Sequence, residues 1–353
     1  MKQFNKTTVI NSVKEVMRNI MSPLWLLVGL LIYSVTRKTP AFAYQSMVHL
    51  FCITKGRSND WLSILFGYIK MPYNFGKEAD GILGNMSWDD KQGVVEDLRN
   101  KGYHVFASKL PDDLCDRLLE YALIQPCLSR PMDGEGKEKE KYGVYPRSSP
   151  EVARYDFTTQ DLLRNKDIQG LLIDMSFPAV ASEYLGARAI VDVLSMWWHT
   201  SFSNTPDMKA AQYYHFDMDR PKWLKFFIYL TDVTINTGAH MFVEWSQKTN
   251  GIPSSMLKKG YARLTDEEVE EYYGKEKIIE FIAPRGTIIA EDTRGLHKWK
   301  HVHKDDRLIL QIQFSNSMFG GDYPDSRFET NVEEKLQEKM TKYPDLYASY
   351  IQK

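Results

Sequence analysis

Two periodicities divide the chain. Up to Gly186 the apolar positions mostly recur at three- and four-residue intervals, which marks helices; beyond it they fall into short strand-like runs. Val9, Val13, Val16, Met17 and Ile20 form one face of an amphipathic helix. After Ser22 and Pro23 comes an uncharged run from Leu24 to Val35, bounded by Arg18 and by Arg37 and Lys38. This run is shorter than the ~20 apolar residues of a spanning helix. A buried core helix is therefore the expectation, ahead of a membrane contact over residues 20–36. A cleaved signal peptide fits worse, because Arg37 and Lys38 interrupt the approach to the cleavage-like Ala41-Phe42-Ala43. Another helix is expected from Asp60 to Ile69.

Ser87 and Asp90 have the spacing of a capping box ahead of Val94, Val95 and Leu98, so a helix starts there and stops near Gly102. A strand over Tyr103 to Ala107 and a helix opened by Pro111, carrying Leu114, Leu118, Leu119 and Leu123, complete a helix-strand-helix lead. From Ser129 to Pro150, Gly, Pro, Ser and alternating Lys and Glu predict a solvated surface loop, ahead of an active-site lid. Residues 159 to 185 read as helical. The strand-like runs are Ala189 to Trp198, Trp223 to Thr231, Met241 to Trp245, Ile278 to Ile282, Thr287 to Ala290 and Leu308 to Phe314. Short strands at such intervals, interrupted by one capped helix at Thr265, point to a barrel or sandwich.

Composition narrows the class. With 353 residues, 43% of them hydrophobic, the chain can bury a large core. Its 45 basic and 46 acidic residues nearly cancel, and no nucleic-acid motif is present, so nucleic acid is not an expected partner. Cys52, Cys115 and Cys127 have no metal-ligand spacing and read as isolated thiols in a reducing cytoplasm, with membrane association as the alternative location. The expected organisation is a helical extension over residues 1–85, a main domain over 86–320 and a helical tail over 321–353.

The chemistry concentrates around Tyr213-Tyr214-His215-Phe216-Asp217. In extended backbone His215 and Asp217 project to the same side, where an imidazole and a carboxylate can share one metal ion. A second imidazole would complete a two-His-one-carboxylate set that leaves coordination positions open. Downstream lie His297, with His301 and His303 as rivals, and the strand Arg307 to Phe314. On that strand Arg307, Ile309, Gln311 and Gln313 share a face. A guanidinium buried there needs a partner, and its fork matches a carboxylate.

The combination of His215-x-Asp217, His297 and Arg307, with Phe227 to Val233, Gly238 and Gly286 to Ala290, resembles the phytanoyl-CoA dioxygenase family of Fe(II)/2-oxoglutarate oxygenases. The similarity runs over residues 87–317. It implies an α+β chain with a double-stranded β-helix of jelly-roll or cupin-like form, flanked by helices. It further implies Fe(II) on His215, Asp217 and His297, with Arg307 gripping the far carboxylate of 2-oxoglutarate; Gln311 is a second cosubstrate candidate by face alone. The expected reaction is a dioxygenase hydroxylation of a small-molecule, lipid- or sugar-linked substrate, using O2 and releasing succinate and CO2. Retention of Asp217 favours hydroxylation over halogenation. Glu244-Trp245-Ser246-Gln247-Lys248 departs from the family pattern. A catalytically silent barrel that binds a ligand or protein, and a cupin-type metal enzyme using no 2-oxo acid, are the alternatives.

Overall fold

The computed structural model describes residues 6–132, 140–259, 263–329 and 331–351, with side chains from Lys14 onward. Three helices come first, α1 (Lys6–Thr36), α2 (Ala41–Thr54) and α3 (Arg57–Ile69). They are followed by α4 (Trp88–Asn100), β1 (Tyr103–Lys109), α5 (Asp112–Ile124) and the short strands β2 (Cys127–Ser129), β3 (Tyr142–Gly143) and β4 (Arg154–Asp156). Residues 159–185 form not one helix but three, α6 (Thr159–Arg164), α7 (Lys166–Ile173) and α8 (Ser176–Leu185). The break has a local cause: the Asn165 side chain accepts from the Ile168 N–H, capping α7 where α6 would otherwise continue. The left-handed Gly186 closes α8.

The barrel is built from β5 (Ile190–Thr200), β6 (Trp223–Tyr229), β7 (His240–Val243), β8 (Ile278–Phe281), β9 (Thr287–Glu291), β10 (His297–Trp299) and β11 (Asp306–Ser315). Between β7 and β8 lie α9 (Ser254–Leu257) and α10 (Asp266–Tyr273), the latter opened by the expected Thr265–Glu268 capping box. After β11 comes α11 (Glu334–Lys342), the only helix of the tail among the described residues.

The strands pair into an eight-stranded sheet, β1-β9-β6-β11-β5-β4-β2-β3, and a three-stranded sheet, β10-β7-β8. His215 extends the small sheet by bridging to His297, exchanging backbone hydrogen bonds of 3.0 and 2.9 Å. From β5 onward the chain therefore visits large sheet, small, large, small, small, large, small, large, with antiparallel pairing throughout. That path is a double-stranded β-helix. Period-two alternation sorts its side chains: Trp197, Phe227, Tyr229, Phe242, Ile289, Trp299 and Ile309 fill the space between the sheets. Leu194, Phe226, Ile288, Leu308 and Leu310 face outward into the helices.

The N-terminal helices cover the back of the small sheet. Met47, Leu50 and Phe51 of α2 pack with Tyr214, Phe216 and Met218, and Phe51 stacks on Phe216 at 5.5 Å. Helix α1 continues through Pro23. One expectation needs correction here. Leu24 to Val35 is no buried core helix: Leu24 is 50%, Leu27 61%, Leu31 70% and Val35 84% exposed, with only Leu26 and Gly29 of that run buried. The side chains of Val9 and Val13 lie outside the described residues, as do residues 133–139 of the expected surface loop.

Candidate active site

His215, Asp217 and His297 come together inside the barrel mouth, each offering a ligand atom, all within 4.8 Å of one another. The His215 Nε2 lies 3.8 Å from Asp217 Oδ1, and the His297 Nε2 lies 3.4 Å from Asp217 Oδ2. Both imidazoles are fixed in the same way. The Nδ1 of His215 faces the Tyr213 carbonyl at 2.9 Å, and that of His297 faces the Gly295 carbonyl at 2.9 Å. Each Nδ1 thus donates its proton backward, leaving the Nε2 lone pairs aimed at a common point. Of the rival imidazoles, His301 and His303 stack on each other at 5.0 Å and stay out of this cluster.

Electrostatics match the donor set. Burial, then the neighbouring His297, push His215 well below its ordinary range, so it is neutral, whereas at His297 burial is outweighed by the Asp217 carboxylate, which raises the imidazole above its ordinary value. Burial works against the Asp217 carboxylate, but the Lys225 ammonium and His297 hold it well below the usual carboxylate range. Lys225, inward-facing on β6, sits 2.6 Å from Asp217 Oδ2 and 3.2 Å from Asp219. It orients the carboxylate and partly offsets two acids in a buried site.

The other end of the barrel interior carries a buried guanidinium. Arg307 is fully buried at the start of β11. Its Nη1 donates to the Thr237 carbonyl at 3.1 Å, its Nη2 donates to His199 Nδ1, and its Nε has no partner. The guanidinium lies 4.3 Å over the Trp299 ring. No carboxylate pairs with it among the described residues, and burial pushes it down to about 9. Burial, then Arg307 and Arg154, keep His199 neutral, well below its ordinary value. Gly238, at φ +77°, is required: a Cβ there would fall 2.4 Å from the Lys300 carbonyl and 3.1 Å from Arg307 Nη1. Trp197 Nε1 and Gln212 Nε2 are two more buried donors without partners.

The two ends are connected by rings packed in tilted contact. Trp299 packs on His240 at 4.2 Å, and His240 on His297 at 5.7 Å. The two-residue step from His297 to Trp299 is about 7 Å, the reach of a five-carbon dicarboxylic acid. Gln311 shares the inner face of Arg307 but stands about 13 Å further along the strand, between Ser195 and Phe227 of the neighbouring strands. It lies toward the metal cluster, with no hydrogen bond to the guanidinium.

Sequence reasoning missed one buried pair. His240 Nε2 lies 3.0 and 2.9 Å from the two carboxylate oxygens of Glu291, both residues fully enclosed. Burial pushes Glu291 up to about 8 and His240 well below its ordinary value, so the pair shares one proton at neutral pH. The run beginning at Met241 left His240 outside its strand. A partner at 291, beyond a helical insert, leaves no trace in local pattern.

No protein-family model and no curated protein matches the chain. Among solved structures, it is similar to the non-haem α-ketoglutarate-dependent epimerase SnoN of nogalamycin biosynthesis, at 15% identity and TM-score 0.46, covering 65% of this chain and 84% of that one. It is also similar to EctD from S. alaskensis with bound Fe, at 15% identity and TM-score 0.43, covering 65% and 80%. A third is HygX from Streptomyces hygroscopicus with nickel and 2-oxoglutarate bound, at 13% identity and TM-score 0.42, covering 69% and 93%. The strand pairing carries the fold assignment, and the side-chain geometry the functional reading, independently of these likenesses.

Proposed function

We propose that the chain is an Fe(II)- and 2-oxoglutarate-dependent oxygenase that hydroxylates a small-molecule, lipid- or sugar-linked substrate. The observation that carries this reading is Arg307: a guanidinium buried without a carboxylate, its Nε unpartnered, in the barrel that also gathers His215, Asp217 and His297. An unpaired buried charge is costly, and a dicarboxylate supplies the missing partner with matching fork geometry. The neutral His215, a His297 that would give up its proton on binding a metal, and the Asp217 carboxylate suit ferrous iron and leave positions for the keto acid and O2. Iron so held would couple oxidative decarboxylation of the 2-oxo acid, to succinate and CO2, to oxidation of a substrate C–H bond.

The chain's own residues do the rest. Lys225 holds Asp217 in place, so that one oxygen points at the metal position. Trp299, Phe227 and Trp197 wall the cosubstrate from water, and Arg307 with Thr237 and His199 fixes its distal end. A reducing compartment, the cytoplasm, goes with this reading, since unpaired thiols and ferrous iron would both persist there.

One observation favours a second reading. The Lys225 ammonium already stands 2.6 Å from Asp217, so it can take the place of the metal charge in a catalytically silent barrel. Anaerobic addition of Fe(II) and 2-oxoglutarate separates the two. The oxygenase should develop a weak visible charge-transfer band and, in air, release succinate. Arg307→Met should raise the 2-oxoglutarate requirement by about 2–5 kcal/mol, roughly thirtyfold to several-thousandfold. A folded protein that binds no metal gives the silent reading the field.

A further inference from the structure

The N-terminal helices present the inverse of a soluble surface. More than half of the exposed large apolar side chains among the described residues lie between Val16 and Met71. Apolar residues scattered singly do not produce such a concentration. On α1, Ile20, Leu24, Leu27, Leu31 and Val35 follow three- and four-residue spacing along one exposed face. On α3, Trp61, Ile64, Leu65 and Tyr68 do the same, with Trp61 73% and Tyr68 83% exposed. The opposite faces are engaged. Leu26 joins the core, Gly29 approaches Ala43 so closely that a Cβ would sit 2.1 Å from the alanine methyl, and Tyr33 packs edge-on against Phe319. Asn59 and Ser63 of α3 bond Pro221 and Asn316.

We propose that this face docks the protein, with α1 lying in the plane of the membrane, on an anionic phospholipid bilayer. Three observations favour a bilayer over a second copy of the chain. Between Arg18 and Arg37 the helix carries no charged residue on any side, whereas a helix that pairs with another in water keeps a charged rim. The cations gather at its ends instead, Lys14 and Arg18 at one and Arg37 and Lys38 at the other, with Glu15 the one acid among them. Each helix also borders a surface groove that sets a cation beside a tryptophan, the pairing favoured at lipid headgroups. One groove, of about 280 Å³, is lined by Arg18, Trp25 and Phe42. The other, of about 440 Å³, is lined by Lys55, Arg57 and Trp61.

Lys14–Thr36 is long and apolar enough to cross a bilayer, with 17% of its 18-residue apolar window buried in the protein. Its packing holds it flat instead: Asn19 bonds His49 at 2.8 Å, Trp25 meets Phe42 at 5.4 Å, and Gly29 abuts Ala43. Helix α1 is thus fixed along α2, which is itself fixed to the barrel, and it docks as an in-plane helix does.

The docking face shares a wall with the candidate active site. Phe51 of α2 stacks on Phe216, the residue between His215 and Asp217. Tyr44 of the same helix feels Asp219 and Asp217, whose charges add to burial in raising its phenol above the ordinary value. Resting on the oxygenase reading, this adjacency makes the substrate a membrane-embedded molecule, a lipid or a lipid-linked metabolite.

Flotation of the full chain with phosphatidylcholine vesicles, with and without phosphatidylglycerol, tests the docking. Wild type should float with the mixed vesicles. The triple substitution L24E/L27E/L31E should lower the bound fraction about tenfold or more, and R37E/K38E by a smaller factor, with melting curves unchanged. Wild type that stays at the bottom of the gradient overturns the proposal. So does a wild-type dimer that the triple substitution converts to monomer without any flotation, since the face is then an interface between copies. Iron and 2-oxoglutarate binding, read on the same samples by the charge-transfer band, stands apart. Loss of the band with flotation intact removes the oxygenase reading alone, and the reverse removes the docking alone.

Discussion

The interior of the barrel and the surface of the N-terminal helices break the same rule in opposite directions. Inside the barrel, Asp217, Lys225, His240, Glu291 and Arg307 place charged or titratable groups where water is excluded. Outside it, α1 and α3 expose leucine, isoleucine and tryptophan where water is expected. A packed core alone needs neither, and each is unfavourable in isolated protein. The difference lies in what relieves them. The buried charges are compensated partly by one another, as Lys225 is by Asp217 and Asp219, and partly not at all, as at Arg307. The exposed leucines have no relief among the described residues. On the two proposals above, each region is completed by a ligand, and the ligands differ in kind: small anions and a cation for one, an extended apolar phase for the other.

The most damaging way to break the comparison is to remove Asp217. Asp217→Ala deletes one member of the candidate metal cluster and strips the buried Lys225 of its closer partner, leaving Asp219 at 3.2 Å. Unfolding in urea should show a loss of about 3 kcal/mol, alongside abolished Fe(II) binding. The double substitution Asp217→Ala/Lys225→Met should recover most of the stability and none of the metal binding. If Asp217→Ala is as stable as wild type, the ammonium is not held by that carboxylate.

How much of this was legible beforehand differs between the two regions. The barrel's strands showed because period-two patterning survives wherever one face packs on helices, as in Leu308, Leu310 and Ile312. The ligand set showed because His215 and Asp217 are neighbours on one strand. What stayed hidden depends on pairing across the fold. His199 meets Arg307 only because β5 and β11 align them, and Glu291 meets His240 only across the barrel. The three-residue β10 is too short to carry a pattern of its own. For the helices, the pattern revealed a helix but not its surroundings. An apolar helix in a core and one against lipid have the same sequence, and only exposure distinguishes Leu31 from Leu26.

A gentler probe of the barrel is Glu291→Gln, which keeps the size and a hydrogen bond to His240. Burial raises the folded carboxyl to about 8 from an ordinary value of 4.5. Between those limits the folded state binds the extra proton, so this group's contribution is fully present below about 4.5 and is lost as pH rises through about 8. Relative to the glutamine variant, which keeps the opposing contribution of a neutral His240, wild type should therefore lose stability across that window by an amount on the order of a few kcal/mol. Parallel slopes for the two proteins in apo melts between pH 5 and 8 would show that Glu291 ionises without penalty, which its enclosure argues against.

The smallest effect should come from prying the two regions apart at their seam. Gly29 has no room for a side chain against Ala43, so Gly29→Val forces α1 away from α2 without touching any group inside the barrel. Overpacking of this kind costs about 1–3 kcal/mol when it must be absorbed in a core. Here α1 exposes its other face and can yield, so the lower end is expected, with faster amide exchange confined to α1 and the facing part of α2. Affinity for Fe(II) and 2-oxoglutarate should stay at the wild-type level, because α1 contributes none of the residues around the metal position or Arg307. The effect on flotation is the sharper measurement. A helix released from α2 keeps its own apolar face, so vesicle binding should persist or increase while the barrel's chemistry stays fixed. If metal affinity falls together with α1 order, the helices instead help to shape the site through Phe51 and Phe216, and the two regions act as one.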